Sequence, residues 1–200
     1  MQLSLLNAPA GYTLAADGSL SVAAGAMAGA VTLTYQLCEA ALPSNCDSAE
    51  ISLLVAPQAQ PDVFSTPAGQ LLAGNVGTND NAPIGAVYTV NGTAPDGLSF
   101  SPDGSFLFTP TDGFTGPVSF SYQVCLPAPD TGLCSTAAAT INVNAGNLIA
   151  LADDFSGAPL APAGTTTVSV LANDTLNGVS PPAAASVSVS LVGAPSGYAL

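Results

Sequence analysis

Apolar and polar residues alternate with period two along much of this chain. Val31, Leu33, Tyr35 and Leu37 alternate with Thr32, Thr34 and Gln36, and Val118, Phe120, Tyr122 and Val124 alternate with Ser119, Ser121 and Gln123. Ile51, Leu53 and Val55 keep the same rhythm, as do Ile141 with Val143, Val168 with Val170, and Val187, Val189 with Leu191. Successive side chains of a strand point to opposite faces, so this pattern predicts half-buried antiparallel strands with one face on a core. Asp17-Gly18, Asn91-Gly92, Asp96-Gly97, Asp103-Gly104, Asp112-Gly113 and Asn177-Gly178 punctuate the strands. Such pairs supply the positive-φ residues that tight reversals need. A helix competes only over the small-residue run Val22 to Ala30, whose glycines Gly25 and Gly29 predict a loop instead.

The pattern also repeats on a longer scale. The Asp-Gly-Ser turns at Asp17 and Asp103 stand 86 residues apart, and Val31-Thr-Leu-Thr-Tyr-Gln-Leu-Cys38 returns 87 residues later as Val118-Ser-Phe-Ser-Tyr-Gln-Val-Cys125. Asp62-Val-Phe-Ser, Pro67-Ala-Gly and Asn79-Asp80 return as Asp153-Asp-Phe-Ser, Pro162-Ala-Gly and Asn173-Asp174. Ala8-Pro-Ala-Gly-Tyr-Thr-Leu14 returns as Ala194-Pro-Ser-Gly-Tyr-Ala-Leu200. Self-similarity at a fixed period marks a tandem array. Its phase divides the chain into 1–56, the C-terminal part of one repeat; 58–145, a complete repeat; and 147–200, the N-terminal part of a further one. The joints, Ala56-Pro-Gln-Ala-Gln-Pro61 and Asn144-Ala-Gly-Asn147, have the small, polar or proline-bearing character of linkers. Short strands in a unit of about 90 residues predict an all-β fold of tandem immunoglobulin-like β-sandwiches, antiparallel and of Greek-key type.

Four segments carry a family resemblance: Val170-Leu-Ala-Asn-Asp-Thr-Leu-Asn-Gly178, Asp103-Gly-Ser-Phe-Leu-Phe-Thr-Pro110, Gly113-Phe-Thr-Gly116 and Phe120-Ser-Tyr-Gln-Val-Cys125. In order and spacing the chain resembles the bacterial Ig-like, cadherin-like tandem repeats of large extracellular adhesins and surface matrix or filament proteins. The resemblance implies an extracellular or cell-surface module without catalysis, and it spans essentially the whole chain. One departure is Leu176-Asn177, where members of such families often carry further Asp.

Charge narrows the chemistry. The 200 residues include no Lys, Arg or His against 13 acidic residues, a net charge of −13. Without histidine there is no Ser-His-Asp or Cys-His nucleophile and no imidazole ligand. Without Lys or Arg there is no P-loop lysine, no Schiff base and no cation for phosphate, which excludes nucleic acid as a partner. Mean hydropathy is +0.47, but no apolar run reaches the length of about 18–20 residues that a spanning helix needs, so no transmembrane segment is expected. Met1 is followed by neither a basic nor an apolar region of signal-peptide type.

The cysteines fall as two close pairs, Cys38 with Cys46 and Cys125 with Cys134, at the same place in two repeats. Neither spacing is Cys-x-x-Cys, and a metal site would need thiolates from different repeats to meet, so two structural disulfides outside the core are expected. They belong to an oxidising compartment. Asp130-Thr131-Gly132 spells the aspartic-protease triplet, but that chemistry needs two such aspartates sharing a proton and the triplet occurs once, so a hairpin turn is expected and no catalytic residue is assigned. Asp62, Asn79, Asp80, Asp153, Asp154, Asn173 and Asp174 are hard oxygen donors that calcium takes and equally are turn residues; calcium wants six to eight oxygens, and no cofactor or metal ligand is assigned. Asn91-Gly-Thr93 and Asn173-Asp-Thr175 match the glycosylation pattern by chance.

The expected function is structural: a stalk or filament module with one disulfide per repeat. The alternative is a glycan- or partner-binding adhesin module holding its ligand on Tyr12, Tyr88 or Tyr198. A sandwich half exposes an apolar face and unpaired edges, and segments 1–56 and 147–200 are complementary halves. The expected partners are therefore neighbouring copies or adjoining repeats, joined head to tail.

Overall fold

The computed structural model describes residues 2–157, 164–166, 168–193 and 196–197. Two compact units emerge, one ending at Val143 and one beginning at Asn144.

The first unit opens with a three-stranded antiparallel sheet in the order β1 (Gln2–Leu6), β4 (Gly29–Cys38), β5 (Cys46–Val55), accompanied by the hairpin β2 (Tyr12–Leu14) and β3 (Leu20–Val22). The alternation of β4 becomes a pleat, with Val31 and Leu33 buried and Thr32 outside. The loop expected over Val22 to Ala30 is shorter in the structure, occupying 23–28 between β3 and β4, because Val22 and the pair Gly29 and Ala30 join the flanking ladders.

A closed two-layer sandwich follows. One layer runs β6 (Asp62–Pro67), β12 (Cys134–Asn144), β11 (Gly116–Cys125), β8 (Val87–Asn91); the other runs β7 (Leu72–Asn75), β10 (Ser105–Phe108), β9 (Leu98–Phe100). The chain changes layer between β6 and β7, between β7 and β8, between β8 and β9, and between β10 and β11, the Greek-key wiring of an immunoglobulin-like sandwich. Between the layers Phe120 meets Phe100 and Phe106 edge to face at 6.0 Å each, and Phe106 meets Phe64 at 4.9 Å. Fully burying such a side chain stabilises by roughly 1.5–3 kcal/mol, so this ring cluster is a principal source of the sandwich's stability.

The N-terminal sheet reproduces part of this plan: β1, β4 and β5 stand as β8, β11 and β12 do, and β2 with β3 as β9 with β10. Strands playing the parts of β6 and β7 do not occur beside β5 and β3 among the described residues. The consequence is read from burial. Ala139, Ile141 and Val143 on β12 are fully buried, whereas their counterparts Ile51, Leu53 and Val55 on β5 are half-exposed. The joint between sheet and sandwich is hydrogen-bonded: the Gly25 N–H donates to Gln58 Oε1 at 3.2 Å and the Asn81 amide to the Ala26 carbonyl at 2.5 Å.

Among the described residues the second unit holds one short antiparallel pair, β13 (Leu148–Ile149) with β14 (Thr175–Leu176), followed by the expected Asn177-Gly178 reversal. Both turn residues have positive φ, 53° and 79°, and the flanking Leu176 and Val179 exchange hydrogen bonds of 3.0 Å, as a type I′ turn requires. The strands expected at Val168 with Val170 and over Val187 to Leu191 are absent. Alternation supplies an apolar face but no ladder partner, and among the described residues these segments have none; Val168, Val189 and Leu191 are exposed. Pro162 and Ala163, with Ala194, Pro195 and Tyr198 to Leu200, lie outside the described residues.

Candidate functional site

The antiparallel register of β4 with β5 puts Cys38 opposite Cys46, and that of β11 with β12 puts Cys125 opposite Cys134. The sulfurs are bonded at 2.01 and 2.04 Å. The next residues outward, Glu39 with Asn45 and Leu126 with Leu133, carry the ladder hydrogen bonds at 3.0 Å, so each cystine occupies the non-hydrogen-bonded pair, where facing Cα atoms come closest. The Cα separations are 4.1 and 4.0 Å. The parity that turns Phe120, Tyr122 and Val124 inward turns Cys125 away from the core. Each clasp thus ties the loop end of a hairpin without occupying core volume.

A second constellation lies inside the closed sandwich. Tyr122 is wholly buried, and its hydroxyl donates to an acceptor cluster of the Gln60 carbonyl at 2.7 Å and Asp80 Oδ1 and Oδ2 at 3.0 and 3.2 Å. Asp80 Oδ1 also accepts the Gln60 N–H at 2.6 Å, and the Asn79 amide donates to the Pro61 carbonyl at 3.1 Å, so Asn79-Asp80 pins the chain entering β6. Asp62 is only 7% exposed, and its Oδ2 has no hydrogen-bond partner. Burial holds the Asp62 carboxyl above its ordinary value, against the opposing Tyr122 hydroxyl, and the nearby Asp80 charge raises it further. Burial also raises Asp80. The Tyr88 phenol is pushed up to about 12 by burial and then by the charges of Asp80 and Asp62; Tyr122 moves in the same direction, by burial and its bond to Asp80. Sequence reasoning placed Tyr122 in the core and Asp80 in a turn but did not join them. The signal was present: Tyr-Gln-x-Cys and Asn-Asp recur in the same array.

The Asn-Asp corner recurs in the second unit with the same bonds. The Leu151 N–H donates to Asp174 Oδ1 at 2.8 Å and the Asn173 amide to the Ala152 carbonyl at 3.0 Å, and Asp174 is 8% exposed.

The other expected site residues separate. The Asp130 carbonyl accepts the Leu133 N–H and its own N–H donates to the Pro127 carbonyl, closing a turn within the Cys125–Cys134 loop. Among the described residues no three His, Cys, Asp or Glu side chains converge as a metal site would require. A shallow groove beside Cys38–Cys46 carries Glu39 and Asp47 on its walls. Tyr12 and Tyr88, expected as ligand-holding loop residues, are instead strand residues in the core, because each phenol packs its ring inward; Tyr12 gives its hydroxyl proton to the Met27 carbonyl at 3.0 Å. Tyr198 lies outside the described residues. No helix among the described residues is long and apolar enough to cross a membrane.

Residues 55–144 match the bacterial Ig domain family. That segment is similar to bacterial Ig domains. The match covers the closed sandwich, both cysteines of its clasp and the Tyr122–Asp80 pair. Among solved structures, an endo-fucoidan hydrolase of glycoside hydrolase family 107 is 19% identical over 72% of this chain and 23% of its own, with a TM-score of 0.33. Mouse cadherin-23 EC22-24 is 16% identical over 72% of this chain and 52% of its own, TM-score 0.30. The human desmocollin-1 ectodomain is 12% identical over 74% and 35%, TM-score 0.34. The chain therefore spans between 23% and 52% of the length of these structures. No curated protein matches the chain.

Proposed function

We propose that this chain is a non-catalytic, extracellular structural module of a bacterial surface adhesin, stalk or filament. Segments 1–56, 58–145 and 147–200 act as the end of one repeat, a whole repeat and the start of another. Disulfides Cys38–Cys46 and Cys125–Cys134 clasp the hairpins against unravelling, and the oxidising compartment they need is the cell exterior. Catalysis has no place to occur: the chain has no histidine, lysine or arginine, and Asp62 and Asp80, its adjacent buried carboxylates, face a tyrosine inside the core rather than a cleft.

Copies join head to tail, the 147–200 segment of one completing the N-terminal sheet of the next. One observation carries this reading: in the sandwich β6 lines the edge of β12 and β7 the edge of β10, whereas the corresponding edges of β5 and β3 are free among the described residues. An exposed edge is a template for strand addition, and head-to-tail contacts propagate. With a net charge of −13 the copies repel at long range, so salt strengthens their association. Sedimentation velocity and electron microscopy of the oxidised chain test the reading. The expected result is a concentration- and salt-dependent series of end-to-end oligomers; a monomer at every concentration and salt overturns the assembly.

A further inference from the structure

We propose that the junction between copies is built around a hydrogen bond from the Tyr35 hydroxyl of one copy to the Asp174 carboxylate of the next. The inference rests on the head-to-tail reading and names its central contact.

The closed sandwich supplies the template. There the tyrosine three residues before the clasp cysteine, Tyr122, sends its hydroxyl to Asp80, whose carboxylate is already held by the Gln60 N–H. In this chain the two parts of that arrangement also occur separately. Tyr35 lies three residues before Cys38, opposite Leu5 on β1 and Ala49 on β5, as Tyr122 lies opposite Val90 on β8 and Ala137 on β12. It is half-buried, and its hydroxyl has no hydrogen-bond partner among the described residues. Asp174 is the other part. It sits in a corner bonded like that of Asp80, with Leu151 in the place of Gln60, and no tyrosine hydroxyl reaches it among the described residues.

Each part therefore has what the other lacks. A buried carboxylate gains most from a hydroxyl donor where water is excluded, and a buried phenol needs an acceptor. Strand geometry agrees. Residues 153–156 match three of the first four residues of β6, which lies beside β12, and β5 offers the same edge free among the described residues. Phe155 then takes the place of Phe64, whose ring packs on Phe106, and meets Leu20, the counterpart of Phe106. The occupant of the N-terminal sheet is a second copy of this chain, through its 147–191 segment.

Sedimentation equilibrium on the oxidised chain and the variants Tyr35→Phe, Asp174→Asn, their combination and Tyr122→Phe tests the contact. Tyr35→Phe and Asp174→Asn are each expected to weaken association about tenfold, with the double variant no weaker than either alone, because both remove one shared bond. Tyr122→Phe is expected to leave association unchanged while lowering the thermal midpoint of the sandwich. Wild-type association in both single variants overturns the Tyr35–Asp174 contact and leaves head-to-tail assembly standing. Strictly additive losses overturn the contact as well. A monomer whose thermal midpoint falls with either variant puts the bond within one chain and overturns the second-copy partner. A wild-type chain that never associates, and whose midpoint ignores both variants, overturns contact and assembly together.

Discussion

The Tyr122 hydroxyl donates to both carboxylate oxygens of Asp80, at 3.0 and 3.2 Å, across 42 residues of chain. The bond ties β11 to the corner that follows β7 and holds the entry to β6, so three strands of both layers meet at one phenol. Tyr122→Phe keeps the ring and removes the donor from a buried carboxylate. The expected loss is about 2 kcal/mol of sandwich stability, read from urea unfolding with an unchanged m-value.

Acid is expected to stabilise this protein before it destabilises it. Asp62 and Asp80 have folded carboxyls above their ordinary value of 3.8, chiefly through burial. The folded state binds those protons more tightly, so their contribution is complete below 3.8 and is lost as pH rises through the raised values. Asp17, Asp103 and Asp154 have the opposite sign: the hydroxyls and N–H groups of Ser19, Ser105 and Ser156 hold them below 3.8, and their contribution is lost as pH falls further. Calorimetry across the acid range should find the highest midpoint near pH 4 rather than at neutrality, and Asp62→Asn should flatten the neutral limb. At the alkaline end, Tyr88 is pushed up to about 12 from 10.0, so stability falls between those values and its phenol ionises late in an absorbance titration.

The same core position should respond differently in the closed and open sheets. Ile141 is fully buried, and Ile141→Ala is expected to destabilise by about 3 kcal/mol. Leu53, its half-exposed counterpart on β5, has less to lose, and Leu53→Ala is expected to cost about 1 kcal/mol in the unassociated chain. Hydrogen exchange, which reports β5 and β12 separately, checks both values.

Opening one clasp should weaken its own sheet. Each disulfide spans a sequence separation of 8 or 9. Loop closure of that size is worth about 2.5 kcal/mol, so Cys125→Ser with Cys134→Ser should lower the unfolding free energy of the sandwich by that amount, and reduction of the wild-type chain should do the same.

Two glycines with like backbone angles should behave unlike each other. Gly97 has φ +81°, and a Cβ there would strike the Thr109 carbonyl, while the Gly97 carbonyl accepts the Thr109 N–H at 3.0 Å. Gly113 has φ +73° with open space around it. Gly113→Ala is expected to cost about 1 kcal/mol for the left-handed backbone alone, and Gly97→Ala at least about 3 kcal/mol, measured by thermal unfolding.

Much of the local structure was legible. β4, β5, β11 and β12 were marked by their alternation, the reversal at Asn177-Gly178 by its residue pair, and the hairpins of Ser19 and Ser105 by the recurring Asp-Gly-Ser, whose aspartates take the serine N–H at 2.9 and 3.0 Å. The facing cysteines followed from parity and recurrence. These are consequences of stereochemistry acting over a few residues, and each residue's neighbours in sequence suffice to decide them.

What needed the tertiary structure depends on partners far along the chain. Val168 with Val170 and Val187 to Leu191 alternate as well as Ile141 with Val143 does, yet only the latter pair lies in a strand, because a strand exists by virtue of its neighbour. Tyr12 and Tyr88 read as loop aromatics and fold into the core, where burial by distant strands sets their environment. Asp80 reads as a turn residue and becomes the acceptor of Tyr122, since only the packing of β11 over the corner after β7 brings donor and carboxylate within 3.0 Å. Alternation and turn chemistry thus followed from the sequence by itself, while edge occupancy, burial and the Tyr–Asp contact were decided by long-range packing, which no local pattern encodes.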